Sequence, residues 1–203
     1  MKSIQDYITE KMVYKKSNIS GYKYFPKTKK ELQDIINNLI EERGNEGDFN
    51  DIDTSEITDM SGLFKDMREF NGDISKWDVS NVTNMNDMFN RCFSFKQPLN
   101  DWDVSKVTNM RGMFNGCIRF NKPLNDWNVS KVTNMGFMFC ECESFNQPLN
   151  KWDVSKVKDM QYMFNECESF NQPLDKWNVS NVEYNYFMFD NCPIEEKHKP
   201  KFK

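Results

Sequence analysis

Cysteine is the residue type here that is most capable of redox or metal chemistry, and its spacing is regular. Five of the six cysteines lie 25 residues apart: Cys92, Cys117, Cys142, Cys167 and Cys192. The Cys140–Cys142 pair lacks the second pair or histidine that a zinc site requires. If adjacent copies carry helices about 8–10 Å apart, their cysteines exceed the roughly 7 Å Cα limit of a disulfide. We therefore expect buried free thiols, with no metal and no cofactor.

The sequence also shows no arrangement of residues that is typical of acid–base or nucleophilic catalysis. His198 is the only histidine and lies in a lysine-rich tail. The sequence has no phosphate-binding glycine loop and no dinucleotide motif. Its carboxylates recur in series and do not form an isolated pair with two different environments. We expect a protein that is not an enzyme.

The recurring carboxylates form the first candidate binding surface. They flank the tryptophans, on the outward face of a predicted strand, and include Asp78, Asp101, Asp103, Asp126 and Asp153. Stacked about 5 Å apart, such groups repel one another unless a basic partner or a cation compensates. The alternative is that they cap local turns, as Asp and Asn commonly do.

An aromatic series forms the second candidate surface. Ten residues after each tryptophan come, in order, Asp87, Gly112, Phe137, Tyr162 and Phe187. On a helix this position lies about 200° from the methionine two residues earlier and faces solvent. Exposed aromatic residues favour a partner surface. The predicted aromatic contacts are Phe137, Tyr162, Tyr184, Tyr186 and Phe187. The alternative is packing beneath the C-terminal tail or in a self-association contact.

All these series belong to one internal repeat of 25 residues. The five tryptophans of the chain keep this period without slip: Trp77, Trp102, Trp127, Trp152 and Trp177. The first copy, 52–76, is degenerate, and the last stops near Pro193. Atypical end copies are expected of a stack of repeats.

Spacing within a copy predicts its local structure. Trp102 and Val104, two residues apart, indicate a short strand. The next apolar positions, 107, 110, 113, 114 and 117, follow a helical period for about two turns. Pro123 then favours an extended return. One copy cannot bury its large apolar residues alone, so neighbouring copies must stack.

The segment ahead of the repeats predicts a helical cap. Thr28 and Glu31 form a capping box, Leu32, Ile35, Ile36, Leu39 and Ile40 share one face, and Gly44 can end the helix. A second cap helix is expected within residues 3–16. The resulting division is a helical cap over 1–50, a solenoid of six repeats over 51–193 and a lysine-rich tail over 194–203.

The agreement of six copies in register resembles the BspA-like, or DUF285, family of leucine-rich-repeat-like bacterial surface proteins. The resemblance covers residues 52–193 and the lead-in 24–32. It implies an α/β fold: a right-handed solenoid with a short parallel sheet and short helices on the other side. It also implies a binding function without catalysis. Val107 and its equivalents stand where standard leucine-rich repeats carry asparagine.

Charge and hydropathy argue against two classes of function, membrane insertion and direct nucleic-acid binding. The net charge is −4 and the mean hydropathy −0.80, with no apolar run of the roughly 18 residues that a bilayer crossing needs. The acidity is concentrated at the start of the main body, where residues 31–76 carry thirteen acidic side chains against four basic ones, and this disfavours direct nucleic-acid binding. Without an apolar leader at its start, the chain is expected in the cytoplasm and away from membranes; the alternative is the bacterial cell surface.

These observations predict a non-enzymatic module that binds another protein, as a monomer or a weak homo-oligomer. One hypothesis is an inhibitor, encoded by a phage or mobile element, of a host defence complex such as a CRISPR nuclease. Its acidic surface would compete for the basic groove of that nucleoprotein complex. The alternative hypothesis is a surface or secreted adhesin of the BspA-like type.

Overall fold

The structure, a computed structural model, describes residues 21–202. Within these residues lie one α-helix, α1 (Lys29–Arg43), and one 3-10 turn, Glu196–His198. The second cap helix predicted within residues 3–16 falls outside the described residues. The described repeats contain turns joined by single parallel bridge pairs, and no longer strand.

Helix α1 begins and ends where the sequence predicts. The Thr28 hydroxyl accepts a hydrogen bond from the Glu31 N–H (3.2 Å), and the Gly44 N–H donates to the Ile40 carbonyl (2.9 Å). Gly44 has a φ of 75°, a conformation that glycine adopts without steric cost. The buried residues of α1 are Leu32, Ile36 and Leu39. The predicted caps at Thr28 and Gly44 are therefore confirmed, while the Glu31 carboxylate accepts from the Lys27 N–H (2.7 Å) and does not complete the capping box with Thr28.

A backbone hydrogen-bond ladder joins each repeat to the next. In the second repeat, the N–H groups of residues 85, 87, 89 and 91 donate to carbonyls of residues 109, 111, 113 and 115, at 2.7–2.9 Å. The equivalent four N–H groups make the same bonds in every repeat from the first to the fifth. The parallel bridges run alongside, through Asn84, Asn109 and Asn134. The pairing thus lies in the middle of the repeat and not at the strand predicted for Trp102 and Val104.

The short helix predicted in each repeat must be corrected to two consecutive turns. Residues 85–88 and 89–92 each close a turn by a hydrogen bond from the last N–H to the first carbonyl. The third residue of each turn has a positive φ, 54° at Asp87 and 61° at Arg91. An α-helix needs φ near −63° and uses its N–H groups within one segment. Here alternate N–H groups bond to the next repeat instead.

The core is built from columns of identical side chains. The rings of Phe89, Phe114 and Phe139 are fully buried and stack at centroid distances of 5.6 and 5.7 Å. The indole N–H of each tryptophan donates to the carbonyl of the residue 28 positions earlier, as from Trp127 to Leu99 (2.9 Å). Like side chains therefore align from repeat to repeat, as the period predicts.

The C-terminal tail packs against the last repeats. The Leu174 N–H donates to the His198 carbonyl (2.8 Å), and the Glu195 N–H donates to the Asn171 side chain (3.0 Å). Ile194 is buried. The tail therefore packs against the fifth repeat, and its Lys199 ammonium lies 5.8 Å from the Phe189 centroid in the turn segment after Val182.

Candidate partner-binding site

Three aromatic rings stack on one another across the fourth, fifth and sixth repeats. Phe137 lies 4.7 Å from Tyr162, and Tyr162 lies 5.1 Å from Phe187, measured between ring centroids. The Arg111 guanidinium lies 4.6 Å from the Phe137 centroid at the other end of the stack. We call Phe137, Tyr162 and Phe187 the aromatic column. The sequence predicted its three rings, but it gave no reason to include Arg111.

The backbone under the aromatic column has a conformation that bulky residues rarely adopt. The φ angles are 59° at Phe137, 55° at Tyr162 and 54° at Phe187. The same position in the first and third repeats is Gly62 and Gly112, both with φ of 60°. The positive φ is imposed by the turn and the ladder, which are shared by all repeats. Aromatic residues here are genuine outliers, and glycine would fit without strain.

Exposure rises toward the C-terminal end of the column. Phe137 and Tyr162 are half-buried, because each ring lies against a neighbour, which corrects the expectation that this position fully faces solvent. Phe187 is 57% exposed, with Tyr184 at 48% and Tyr186 at 59%. These three are the exposed large hydrophobic residues of 21–202. An aromatic patch therefore lies on the last repeat.

The predicted carboxylates all have exposed side chains, and each of the five has a local partner. Asp78, Asp103 and Asp153 each accept the N–H of the serine two residues later, at 3.0–3.1 Å. Asp101 accepts from the Asn100 side chain (2.7 Å), and Asp126 from the Lys151 ammonium (2.7 Å). These contacts support the turn-capping interpretation while leaving the groups accessible.

Serine hydrogen bonds also change the acidity of two of these carboxyl groups. The Ser105 hydroxyl, followed by its backbone N–H, lowers the pKa of Asp103 below its ordinary value. Ser155 lowers the pKa of Asp153 in the same way. Both residues therefore remain ionised under mildly acidic conditions.

A second turn-capping series escaped the sequence prediction. The side chains of Asn84, Asn109 and Asn134 each accept the N–H two residues later, at 3.0–3.1 Å. They lie in the ladder that joins the repeats. Tyr184 replaces this residue type in the last repeat. A comparison of position 184 with the equivalent residues 84, 109 and 134 could have shown from the sequence that Tyr184 replaces a turn-capping side chain.

The thiol column is part of the core. Cys92, Cys117, Cys142 and Cys167 are fully buried, as predicted, and each donates to a phenylalanine carbonyl of the preceding repeat. Burial raises the pKa of Cys142 well above its ordinary value. Burial, assisted by Glu141, raises the pKa of Cys140 to about 12. Residues 21–202 hold no cluster of three or more metal-ligating side chains.

The ladder and the repeated core columns define a tandem-repeat protein. The chain matches the family model described as "Mycoplasma protein of unknown function, DUF285" over residues 30–139 and again over 96–200. The chain therefore belongs to the DUF285 family, and the resemblance noted in its sequence is confirmed. No curated protein and no solved structure matches it. None of the helices in the described part has the length and apolar character to cross a bilayer.

Proposed function

We propose that this chain is a non-enzymatic protein-binding module, built as a right-handed solenoid, and that a partner docks on its aromatic column. The observation that carries the proposal is the backbone conformation at Phe137, Tyr162 and Phe187. Bulky rings occupy three successive positions whose φ is positive, although the repeat accommodates glycine there.

Stability alone gives little reason for these rings. A left-handed conformation costs a non-glycine residue about 1–2 kcal/mol. Such strain is found preferentially at functional sites, where the side chain serves a purpose that the fold does not require. Aromatic side chains that are rigid and partly exposed are also frequent binding hot spots. The aromatic column therefore has the composition and the exposure of a docking surface.

The charge of the repeats suggests what kind of surface the partner presents. Asp78, Asp103 and Asp153 are exposed, and hydrogen bonds from Ser105 and Ser155 lower the pKa of Asp103 and Asp153. An acidic face of this kind steers association with a basic surface. We propose that the partner has a basic groove, as a nucleoprotein complex does, and that occupying this groove inhibits the complex.

The test is affinity purification from the organism of origin with quantitative mass spectrometry. The variant is Phe137→Gly with Tyr162→Gly, which removes two rings and relieves the backbone strain. The matched control is Phe93→Ser. Phe93 is also half-buried beneath an arginine, with Arg68 lying 5.4 Å from its centroid, but it lies in the second repeat away from the column.

We expect the amount of partner recovered with the double variant to be at least about tenfold lower than with the wild-type chain. The amount recovered with the control variant should match that of the wild type. If every interaction of the wild-type chain survived in the double variant, the proposed docking surface would be wrong.

A further inference from the structure

The hydrogen-bond ladder ends unpaired at the last repeat. The N–H groups of residues 185, 187, 189 and 191 stand where the ladder donors stand in the five preceding repeats. No atom of residues 21–202 accepts a hydrogen bond from these four groups. The tail bonds to residues 171 and 174 of the fifth repeat and places the Lys199 ammonium 5.8 Å from the Phe189 centroid, but it accepts no hydrogen bond from these four N–H groups. We call residues 183–191 the open edge.

The open edge also has one unpaired acceptor. A second line of bonds runs in the opposite direction, with the Thr133 N–H donating to the Thr108 carbonyl (2.9 Å) and the Glu183 N–H donating to the Lys158 carbonyl (2.8 Å). In the described chain nothing donates to the carbonyl of Glu183 itself. A complementary ligand must therefore offer one donor followed by acceptors matching four N–H groups at alternate residues. An added stretch of polypeptide backbone has this pattern.

Local charge argues against a small anion at the same place. Phosphate or carboxylate could satisfy the N–H groups, but it would also meet the Glu183 carbonyl. The Asp190 side chain is exposed on this edge, and Glu166 is exposed in the neighbouring repeat; Glu183 is also exposed but pairs with the Lys158 ammonium (3.2 Å). A neutral or basic segment of polypeptide fits these charges and an anion does not.

A second copy of this chain does not fit either. Within residues 21–202, nothing donates to the matching carbonyls, which belong to residues 59, 61, 63 and 65 of the first repeat. Lys29 of α1 donates to the Ser61 hydroxyl (2.7 Å), and it pairs with Asp59 (3.7 Å). The helix therefore stands in the way of a head-to-tail contact. A tail-to-tail contact would place N–H groups opposite N–H groups.

The aromatic column indicates one side chain of the occupant. At its inner end the Arg111 guanidinium covers Phe137 at 4.6 Å. At its outer end Phe187 is 57% exposed, with the exposed carboxylate of Asp190 on the same edge. A guanidinium stacks well on an aromatic face, and nearby carboxylates favour it. The exposed face of Phe187 is therefore suited to a guanidinium, in the same way as Phe137 is covered by the guanidinium of Arg111.

We propose that the open edge takes up an arginine-bearing peptide segment of a partner protein as an additional rung of the ladder. The segment donates an N–H to Glu183 and offers carbonyls to the four free N–H groups, while its guanidinium covers Phe187. This inference rests on the proposed function and specifies the class of ligand that the docking surface binds.

The test uses a library of random 12-residue peptides displayed on phage and selected on the full-length chain. Enriched peptides are synthesised, and their binding is measured to the wild type, to Phe187→Ser and to the control Phe93→Ser. Amide hydrogen exchange then locates the bound peptide, because the free N–H groups of the open edge exchange slowly only when a peptide covers them.

We expect enriched peptides that contain arginine, protect amides within residues 185–191 and bind Phe187→Ser about tenfold more weakly, with little change for Phe93→Ser. Replacing the peptide arginine with glutamine should weaken binding similarly. Peptide binding that weakens in the double glycine variant but leaves the amides of residues 185–191 exchanging as in the free chain would overturn the open-edge proposal while supporting the docking surface. A selection that enriches no peptide would also overturn the open-edge proposal, and the purification with the double glycine variant would still decide the proposed function.

Discussion

Replacing Phe137 with glycine tests whether the aromatic column serves stability or binding. The change removes a ring pair, worth about 0.5–1.5 kcal/mol, and an arginine contact, worth about 0.5–1 kcal/mol. Glycine adds about 0.5–1 kcal/mol of chain entropy cost. Against these losses, it relieves about 1–2 kcal/mol of left-handed strain at a φ of 59°. We therefore expect the free energy of unfolding to fall by no more than about 2.5 kcal/mol.

Phe139 provides the comparison, only two residues away. Its ring is fully buried between Phe114 and Phe164, at centroid distances of 5.7 and 5.6 Å. Phe139→Ala should therefore cost about 3–5 kcal/mol. Urea unfolding, followed by tryptophan fluorescence and circular dichroism, measures both variants. If Phe137→Gly proved as costly as Phe139→Ala, the column would belong to the core, and the strain argument for a docking surface would fail.

Three further changes probe the repeat itself. Gly112→Ala should lower the midpoint of thermal unfolding, because its Cβ would approach the carboxylate of Asp87 to 2.2 Å at a φ of +60°. In Trp127→Phe the buried Leu99 carbonyl loses the indole donor, and we expect urea unfolding to show a loss of about 1–3 kcal/mol. The pKa of Asp103 is lower in the folded chain than its ordinary value. The ionised carboxylate therefore stabilises the fold at pH values above the ordinary pKa, and this stabilisation is lost as the pH falls through the lowered pKa. Asp103→Asn should therefore flatten the fall in melting temperature between about pH 5 and pH 2; an unchanged profile would contradict the assigned hydrogen bonds.

The columns of the core were predictable because a buried side chain stacks on the equivalent side chains of the neighbouring repeats, which requires the same residue type in each repeat. A side chain such as Phe114 contacts its equivalents Phe89 and Phe139, so the buried position must keep one size and shape in every copy. The same logic identified the aromatic series, where the residue changes between copies. Helix α1 was predictable for a local reason, since the Thr28 cap and Gly44 lie within the segment that they delimit.

The conformation between the columns was not predictable from periodicity. Residues spaced at i, i+3, i+4 and i+7 share a face in a helix, and two consecutive turns bring the same residues inward. The signal that could have separated the two was the glycine at positions 62 and 112, in the middle of the supposed helix. Glycine is unfavourable there by about 1 kcal/mol but suits a turn that needs a positive φ.

The ladder gives the two ends of the repeat array different hydrogen-bonding chemistry. Each of the first five repeats donates through four N–H groups to the next repeat, so within residues 21–202 the first repeat has carbonyls without a donor and the sixth has N–H groups without an acceptor. Arrays with both ends free could join head to tail, because one end complements the other. Placing α1 beside the carbonyl end removes that possibility without covering the N–H end. One capped and one open end therefore suit a module that binds a different polypeptide and does not extend itself.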